Sequence, residues 1–297
     1  MYHRFSSGPE PFKIQQSVFE NQIKFLVKNK YTLISLQHYA EVLNGRRDDL
    51  PDNSVIITID DGYWDNYTYA YPILNKYTVP ATIFLVTDFI NRKSWLWSNK
   101  LEFILKRSKL KSFEFPLGNK TSRFLVDNFQ NWHRTQLKIF HYCSWITENQ
   151  KNGLLNELAH YLKVNVPKET VCDFQPLTWE QIKEMNANGI DFGSHTCSHP
   201  ILSKLDLAAL RHEIVGSKLV IEKEIGRSVT SFCYPNGQPD DIGKEVVNAV
   251  RNSGYTCAVT TIKGSNRIGH NSKYLLKRMS FCSDNEIKLI SRMTLSE

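Results

Sequence analysis

Short runs of apolar and β-branched residues alternate with amphipathic segments along most of this chain, and this alternation constrains the fold more than any other feature. Residues 55–59 and 81–86 have the composition of strands that are buried on both faces of a sheet. A helix predicted over about residues 65–77 joins them into a strand–helix–strand unit. The sequence therefore predicts an α/β protein with a mainly parallel sheet.

The same pattern continues toward the C-terminus. A helix is predicted over residues 178–188, because Thr178 and Gln181 match a capping box and Gly189 follows the last turn. A second helix is predicted over residues 206–225, where apolar residues recur at helical spacing before a glycine. Short strands are predicted at residues 190–192, 229–234 and 255–260.

One stretch interrupts this alternation of strands and helices. Residues from about 91 to 169 are rich in Lys, Phe, Trp and Leu and have a mostly helical pattern. Since no flexible linker or internal repeat separates this stretch from its flanks, we expect one domain over residues 1–297 that carries a helical insert at about 91–169.

Composition is that of a folded protein, with 41% hydrophobic and 23% charged residues. The net charge of +7 would attract an anionic polymer, a phosphate-bearing substrate or an acidic membrane surface, and a merely basic surface is an equal alternative. A nucleic-acid partner is disfavoured, because no Lys/Arg block lies beside an aromatic series.

The cysteines and the N-terminus bear on the compartment. The six cysteines contain no C-x-x-C pair, which disfavours a structural zinc site, and we expect them to stay reduced. The first residues lack the apolar core of a signal peptide, and no apolar run is long enough to span a membrane. A cytoplasmic protein without a transmembrane segment is expected, unless a truncation has removed an export signal.

Two adjacent carboxylates, Asp60 and Asp61, follow the predicted strand at residues 55–59 and precede Gly62. Carboxylates are costly at the end of a buried strand unless a metal ion or a proton transfer uses them. An ordinary Asp-Gly turn is the alternative interpretation.

Two histidines, His195 and His199, follow the predicted strand at residues 190–192. Histidines at this spacing can bind one ion, and with one carboxylate they form a site that leaves coordination positions open for water and substrate. Histidines on a surface or a helix face are the alternative, which the Asp60-Asp61 pair makes less favourable.

These segments resemble the polysaccharide deacetylases of carbohydrate esterase family 4. Residues 57–62 (ITIDDG) resemble that family's T-F-D-D-G motif, and residues 194–199 (SHTCSH) resemble its H-[ST]-x-x-H motif. Residues 80–84 (PATIF) and 232–237 (FCYPNG) extend the similarity. The resemblance implies a distorted (β/α) barrel of the NodB-homology type with its active site at the C-terminal ends of the strands.

The resemblance also implies roles for individual residues. Asp60 would be the general base, and Asp61, His195 and His199 would bind a divalent metal ion, most commonly zinc. Independently of the resemblance, the chemistry requires that the oxyanion be bound by the metal ion and by a backbone N–H group in the segment from Tyr234 through Asn236 to the following glycine, which would contact the substrate.

Two features depart from the family pattern. Cys233 and Asn236 occupy the Arg and Tyr positions of the family's R-x-P-Y motif, so another cation must orient Asp60. Arg278 and Arg4 are the candidates, and Arg278 is favoured, although either could equally be a surface charge. The usual late L-x-x-H motif is missing. Circularly permuted members of the family that act on exopolysaccharides take this histidine from an early M-Y-H segment, which residues 1–3 match, so His3 is predicted to be the general acid; a mobile terminal residue is the alternative.

The function predicted from these features is metal-dependent removal of an N-acetyl group from an N-acetylhexosamine in a polysaccharide or a carrier-linked glycan. N-deformylation, O-deacetylation and a catalytically weak carbohydrate-binding module are the alternatives. The expected partner is a carbohydrate, with peripheral contact to a membrane-borne glycan as an additional expectation. Trp95 and Trp97 could stack on a sugar, although packing within the insert is favoured.

Overall fold

A computed structural model describes residues 1–270 and 272–280, without the side chain of Cys172. The described part of the chain divides into two compact units: the first comprises Met1–Asn91 and the described residues from Gln175 on, and the second comprises Arg92–Phe174. The insert predicted at about residues 91–169 covers most of the second unit. That the chain is one elaborated domain stays a prediction.

The secondary-structure elements alternate along the first unit and are mostly helical in the second. The strands are β1 (Phe5–Ser6), β2 (Ile14–Gln15), β3 (Thr32–Leu33), β4 (Ser54–Val55), β5 (Ile57–Ile59), β6 (Ala81–Leu85), β7 (Ser112–Leu117), β8 (Lys120–Leu125), β9 (Ile190–Ser194), β10 (Ser231–Cys233), β11 (Cys257–Lys263) and β12 (Leu276–Arg278). The α-helices are α1 (Gln16–Lys28), α2 (Leu36–Leu43), α3 (Tyr71–Lys76), α4 (Thr87–Ile90), α5 (Trp97–Arg107), α6 (Phe129–Cys143), α7 (Glu148–Tyr161), α8 (Trp179–Ala187), α9 (Leu207–Arg211), α10 (Ser217–Ile225) and α11 (Lys244–Asn252).

The central sheet of the first unit has six strands in the order β12-β11-β10-β9-β6-β5, and every neighbouring pair is parallel. Parallel neighbours require crossover connections, which the intervening helices provide. The predicted α/β class with a mainly parallel sheet is therefore confirmed. All five residues of β6 are buried, as expected for a strand covered on both faces.

The strand predicted over residues 55–59 is in fact divided between two sheets. Val55 belongs to β4, which pairs with β3, and only Ile57–Ile59 joins the central sheet. Both pieces are apolar, so hydrophobicity alone could not place the change of partner at residue 56.

The two edges of the central sheet approach each other. The guanidinium of Arg278 on β12 donates to Thr58 Oγ1 on β5 at 3.1 Å. Residue Tyr2 extends the sheet beyond β5: its N–H donates to the Thr58 carbonyl, and its own carbonyl accepts from the Asp60 N–H, both at 2.9 Å. The Met1 amine in turn donates to the carbonyl of Met279, just beyond β12. The sheet thus curls toward closure, with the C-terminal ends of its strands around one point.

Two of the predicted helices contain a π-helical turn. Asn66–Ala70 precedes α3, and His212–Gly216 lies between α9 and α10. A π turn rotates the side chains that follow it relative to a regular α-helix, and such turns are frequent at functional sites. The predicted capping box at Thr178 and Gln181 is confirmed at the start of α8.

The second unit has its own core and contains a feature that was not predicted. Strands β7 and β8 form an antiparallel hairpin among helices α5, α6 and α7. Phe113 and Phe115 alternate with exposed residues along β7, and Gly118 has a φ of 61° in the turn. This period-two pattern with a glycine turn was the signal for a hairpin.

Trp95 and Trp97 contribute to the packing of this unit. Trp97 is buried and stacks on Phe140 with ring centroids 4.5 Å apart, and Trp95 donates through Nε1 to the Pro167 carbonyl. The favoured packing interpretation agrees with these contacts.

The described cysteine side chains agree with the expectation of reduced thiols: Cys143, Cys197, Cys233 and Cys257 are free and buried. The thiols of Cys172 and Cys282 lie outside the described part of the structure. Among the helices of residues 1–270 and 272–280, none is both long enough and apolar enough to cross a membrane.

Candidate active site

Polar side chains follow several strands of the central sheet at the same edge. Asp60 and Asp61 come directly after β5, and His195 comes directly after β9, while Cys233 and Arg278 are the last residues of β10 and β12. Because the strands are parallel, their C-terminal ends lie at one edge, and all these side chains are buried there. The topology thus gathers residues that are far apart in sequence.

Asp61, His195 and His199 bring three ligand atoms within 4.8 Å of one another. Asp61 Oδ1 lies 3.6 Å from His195 Nε2 and 3.8 Å from His199 Nε2. These are distances at which a cation can lie between the three atoms.

The protonation of His195 suits a metal ligand. Its Nδ1 lies 2.8 Å from the carbonyl oxygen of Cys233, and since a carbonyl can only accept, Nδ1 carries the proton. The Nε2 lone pair is then free to face Asp61. Burial lowers the pKa of His195, which favours the neutral imidazole that a metal requires.

The donor set fits a catalytic divalent metal ion. Two imidazole nitrogens and one carboxylate oxygen suit zinc, and three protein ligands leave a position for water or substrate. Burial also raises the pKa of Asp61, so a cation at this point would compensate a carboxylate that water does not solvate. The metal-binding role of the three residues stays a prediction.

The backbone around these ligands is strained. Asp61, Thr196 and His199 have φ values of 77°, 72° and 61°, a left-handed region that is unfavourable for residues other than glycine, and most of all for a β-branched one such as Thr196. Strain of this kind, on the order of 1–3 kcal/mol per residue, persists only where surrounding contacts hold it. Some of those contacts come from Thr87 and Asp88, whose N–H groups donate to the Thr196 and Cys197 carbonyls.

Glu213 supplies another set of contacts and was missed in the sequence. Its Oε2 accepts from the backbone N–H groups of Cys197 and Ser198 at 2.8 and 2.9 Å, and its Oε1 accepts from the Ser198 hydroxyl at 2.6 Å. One buried carboxylate in the π turn therefore holds the loop between His195 and His199. The available signal was a glutamate three residues after Leu210, at the border of the apolar face of the predicted helix.

We expect Glu213→Ala to weaken zinc binding by about 10- to 100-fold, the usual effect of removing a group that positions a metal ligand. The alanine leaves two loop N–H groups without their acceptor, so the left-handed conformation of His199 loses support. Glu213→Gln keeps a carbonyl acceptor and should lose less. Competition with a chromophoric chelator measures the affinity, with Glu224→Ala as the control; equal zinc affinity in Glu213→Ala and wild type would exclude this role.

Asp60 forms a bidentate ion pair with Arg278. Arg278 Nη1 donates to Asp60 Oδ1 at 2.8 Å and Nη2 donates to Oδ2 at 2.7 Å, with both residues buried. Burial acts to raise the pKa of Asp60, but the Arg278 guanidinium outweighs it and holds that pKa below the usual range. Asp60 is therefore kept as a carboxylate and in one orientation. The alternative cation, Arg4, lies over the Tyr63 ring instead.

Cys233 makes this pairing sterically feasible. Its thiol accepts from Arg278 Nη2 at 3.2 Å and donates to Asp60 Oδ2 at 3.6 Å. Burial raises the pKa of the thiol, so it is neutral. A small side chain on β10 thus leaves room for a guanidinium that comes from β12, which accounts for the departure from the family's R-x-P-Y pattern.

Replacing Arg278 should damage both activity and stability. We expect Arg278→Met to lower kcat by about 100-fold or more, because Asp60 loses its orientation, and to cost about 3 to 5 kcal/mol of stability, because a buried carboxylate is left unpaired. Arg278→Lys keeps the charge without the bidentate geometry and should fold with a smaller loss of kcat. A lysine variant with unchanged kcat and KM would rule out the bidentate contact as a requirement.

His3 lies beside Asp60, with its Nε2 3.8 Å from Asp60 Oδ2, and 44% of its side chain is exposed. Its backbone is held on both sides: Tyr2 pairs with β5, and Asn66 Nδ2 donates to the His3 carbonyl at 2.8 Å. His3 is therefore a fixed residue in this structure and can face both Asp60 and solvent. Its role as general acid stays a prediction.

In the predicted oxyanion-binding segment, several hydrogen-bond donors are already used by contacts within the fold. The Tyr234 N–H donates to the Val259 carbonyl and its hydroxyl to the Tyr274 carbonyl, so the structure places Tyr234 in the core and does not bring its donors to the site. The Gly237 N–H donates to the Pro235 carbonyl. Asn236, half-buried with a φ of 56°, is left as the candidate from this segment.

Asp65 is a fully buried carboxylate that lies four residues after Asp61 in the chain. Asn66 Nδ2 donates to its Oδ1 at 2.9 Å, and burial raises its pKa to about 7 despite the nearby charge of Arg4. Since the folded pKa lies above the 3.8 of an ordinary Asp, the folded state binds this proton more tightly than the unfolded state does.

The contribution of Asp65 to stability should therefore fall as the pH rises from about 4 to about 7 and then level off. The free energy of unfolding of Asp65→Asn, relative to wild type, should increase over this range by up to roughly 4 kcal/mol. Urea denaturation at pH 4.5 and 7.5 measures this difference, with the exposed Asp52→Asn as control. A difference that does not change with pH would show that Asp65 stays ionised.

The model of the polysaccharide deacetylase family matches residues 47–258, a range that includes Asp60, Asp61, both histidines and Cys233. The chain belongs to the polysaccharide deacetylase family. The family resemblance predicted from the sequence motifs is thereby confirmed.

Individual relatives agree with this assignment. YxkH of Bacillus subtilis (strain 168) is 26% identical over 266 residues, which are 89% of this chain and 64% of the relative. Its name describes it as a polysaccharide deacetylase. The poly-beta-1,6-N-acetyl-D-glucosamine N-deacetylase of Staphylococcus aureus (strain MSSA476) is 33% identical over 162 residues, which are 44% of this chain and 55% of the relative. The chain thus spans less than two thirds of the length of either relative.

Solved structures confirm the NodB-type fold. The deacetylase PplD of Streptococcus pyogenes, solved with acetate, has a TM-score of 0.64 at 19% identity and covers 99% of this chain and 96% of that one. IcaB of Ammonifex degensii has a TM-score of 0.62 at 18% identity, covering 98% and 94%. At these identities the likeness concerns the fold alone.

Proposed function

We propose that this polysaccharide deacetylase removes an N-acetyl group from an N-acetylhexosamine within a polysaccharide or a carrier-linked glycan. The observation that carries the proposal is the position of an ion-paired, buried carboxylate, Asp60, directly beside a group of three metal-type ligands. The name of the staphylococcal relative, which specifies N-deacetylation of a β-1,6-linked N-acetylglucosamine polymer, supports the choice of sugar.

Asp61, His195 and His199 would hold a divalent metal ion, which we propose to be zinc. When bound, zinc supplies a Lewis acid that polarises the amide carbonyl and lowers the pKa of water toward about 7. Retention of the ion depends on the loop conformation that Glu213 holds.

Asp60 takes the proton from the water that adds to the acetyl carbonyl carbon, and the Arg278 ion pair keeps its carboxylate ionised and oriented for this step. The backbone at Asn236 is the candidate donor to the resulting oxyanion. The carbon–nitrogen bond then breaks, and His3 gives a proton to the departing sugar amine. The products are acetate and the free amine.

The half-exposed position of His3 supports its assignment as the acid. A group that must receive a proton from solvent and deliver it to the leaving amine needs access to both sides, and 44% exposure next to a buried base meets that need. We further propose that the chain acts in the cytoplasm in peripheral contact with a membrane-borne glycan.

Acetate release tests the proposed function. The purified chain loaded with zinc should release acetate from a β-1,6-linked N-acetylglucosamine pentamer, with a matching increase in free amines detected by mass spectrometry. The same oligomer carrying N-formyl or O-acetyl groups is the comparison. Faster release from either analogue would replace N-deacetylation by that reaction, and no release from any of them would favour a carbohydrate-binding module.

A further inference from the structure

The net positive charge of the chain is concentrated in the second unit. Residues 92–174 contain 14 Lys and Arg against 7 Asp and Glu, whereas the rest of the sequence contains 23 of each. The whole excess of +7 therefore lies in these 83 residues, and the remainder of the chain is neutral. A charge excess confined to one unit provides an attraction for an anionic partner that the deacetylation chemistry does not need.

The same unit exposes apolar side chains at regular intervals along α6 and just beyond its end. Every fourth residue from Phe129 onward is aromatic or apolar, and the row, which we name the α6 stripe, consists of Phe129, His133, Leu137, His141 and Trp145. Residues four apart are neighbours on a helix but are offset by about 40° around its axis, so the stripe winds around the exposed side of α6, and Trp145 lies two residues beyond the end of that helix. Its opposite face, with Trp132, Ile139 and Cys143, packs into the core of the unit.

The large side chains of the stripe are exposed to solvent. Phe129, Leu137 and Trp145 are exposed by 55%, 50% and 59%. They are also ordered by their neighbours: the rings of Phe129 and His133 stack, and Trp145 Nε1 donates to His141 Nε2 at 3.3 Å. Neighbouring and ordered apolar groups on a surface mark an interaction site more strongly than scattered ones do.

Basic residues flank the stripe. Arg134 and Lys138 each follow a stripe residue by one position on α6, and both are exposed. Exposed Phe, Leu and Trp residues along a helix and its end, with Lys and Arg beside them, resemble in composition the helices that lie in the interface of an anionic bilayer. A soluble polyanion would pair with the basic residues but would gain little from Phe129 or Leu137.

We propose that the α6 stripe is a docking surface for a membrane of anionic lipids. The apolar side chains enter the boundary between headgroups and acyl chains, while Arg134 and Lys138 pair with lipid phosphates. The inference identifies the surface that would make the peripheral contact proposed above, and it is independent of the deacetylation itself, because lipid binding requires neither substrate nor metal.

Cosedimentation of the full chain with lipid vesicles tests the proposal. The chain should bind vesicles of phosphatidylcholine with 30% phosphatidylglycerol, on the order of tenfold or more tightly than vesicles of phosphatidylcholine alone, because two basic side chains near the surface each contribute about a fivefold attraction. The binding to anionic vesicles should weaken, but not vanish, in 0.5 M salt.

Two variants separate the apolar from the charged contribution. The triple variant Phe129→Ser, Leu137→Ser and Trp145→Ser should lose at least about tenfold in affinity for the anionic vesicles, since three partly buried apolar groups are removed. The double variant Arg134→Glu and Lys138→Glu should also lose at least about tenfold, and its binding should no longer respond to phosphatidylglycerol.

Matched controls come from the first unit, which also has exposed apolar and basic residues. Leu207→Ser with Leu219→Ser, and Lys223→Glu with Lys244→Glu, should bind anionic vesicles as the wild type does. Binding that depends on charge but is unchanged in the triple serine variant would identify a polyanion site and overturn the proposal. Absence of wild-type binding to either type of vesicle would overturn it as well, without affecting the proposed deacetylation.

Discussion

His199→Ala should purify without the divalent metal ion that the wild type retains. Exposed to the same zinc concentration and then desalted, the wild type is expected to hold about one ion per chain, because its three ligands are two imidazoles and a carboxylate already within 4.8 Å of one another. The alanine leaves one imidazole and Asp61, which is too few ligands to retain zinc through desalting. Plasma mass spectrometry of zinc per chain measures the difference.

A second histidine serves as the control for this experiment. His160 lies exposed in the second unit, so His160→Ala should retain as much zinc as the wild type. The activity of His199→Ala should fall in parallel with its zinc content. If His199→Ala and the wild type hold equal zinc, the ion binds elsewhere and the assignment of Asp61, His195 and His199 is wrong.

Asp60→Asn should abolish most of the catalytic activity while the zinc content stays at the wild-type level. An amide cannot accept a proton from water at neutral pH, and the loss of a positioned general base lowers the rate by about 10²- to 10⁴-fold. The substitution is nearly isosteric, so Arg278 can still donate to the remaining side-chain oxygen. The expected loss therefore appears in kcat more than in KM.

Two further measurements and a control variant make this result specific. Far-UV circular dichroism reports whether the buried guanidinium of Arg278 tolerates a neutral partner, and zinc content reports whether Asp61 next to it still binds the ion. Asp240→Asn, an exposed change, is the control and should leave kcat unchanged. Wild-type turnover by a folded, zinc-loaded Asp60→Asn would exclude Asp60 as the base.

Much of the site could be expected from the sequence because its residues follow strands directly. Asp60 and Asp61 come after one apolar run and His195 after another, and the C-terminal ends of parallel strands meet at one edge of a sheet. The structure accordingly gathers these residues, together with His199, which is only four positions further on. No pairing of distant elements beyond the sheet itself was needed.

Residues that position a site residue from a different helix or strand were harder to find in the sequence. Glu213 lies in a helical segment that has no chemical motif. Its carboxylate is in a π turn and within hydrogen-bonding distance of the 195–199 loop, a contact that no sequence pattern indicates. The choice between Arg278 and Arg4 likewise did not follow from spacing, since no sequence pattern places either residue beside Asp60. The ion pair with Asp60 identifies Arg278, because β12 comes around to face β5.

The sequence by itself determined the class of fold, the strand ends that carry Asp60, Asp61 and His195, and the family, because these depend on hydrophobic periodicity and on residues that are close along the chain. The tertiary structure decided which cation orients Asp60, how the His195–His199 loop is held in a strained conformation, and that Tyr234 is a core residue. These depend on contacts between elements tens to hundreds of residues apart, such as residues 60 and 278, whose proximity results from the curl of the sheet and is not encoded in any local pattern.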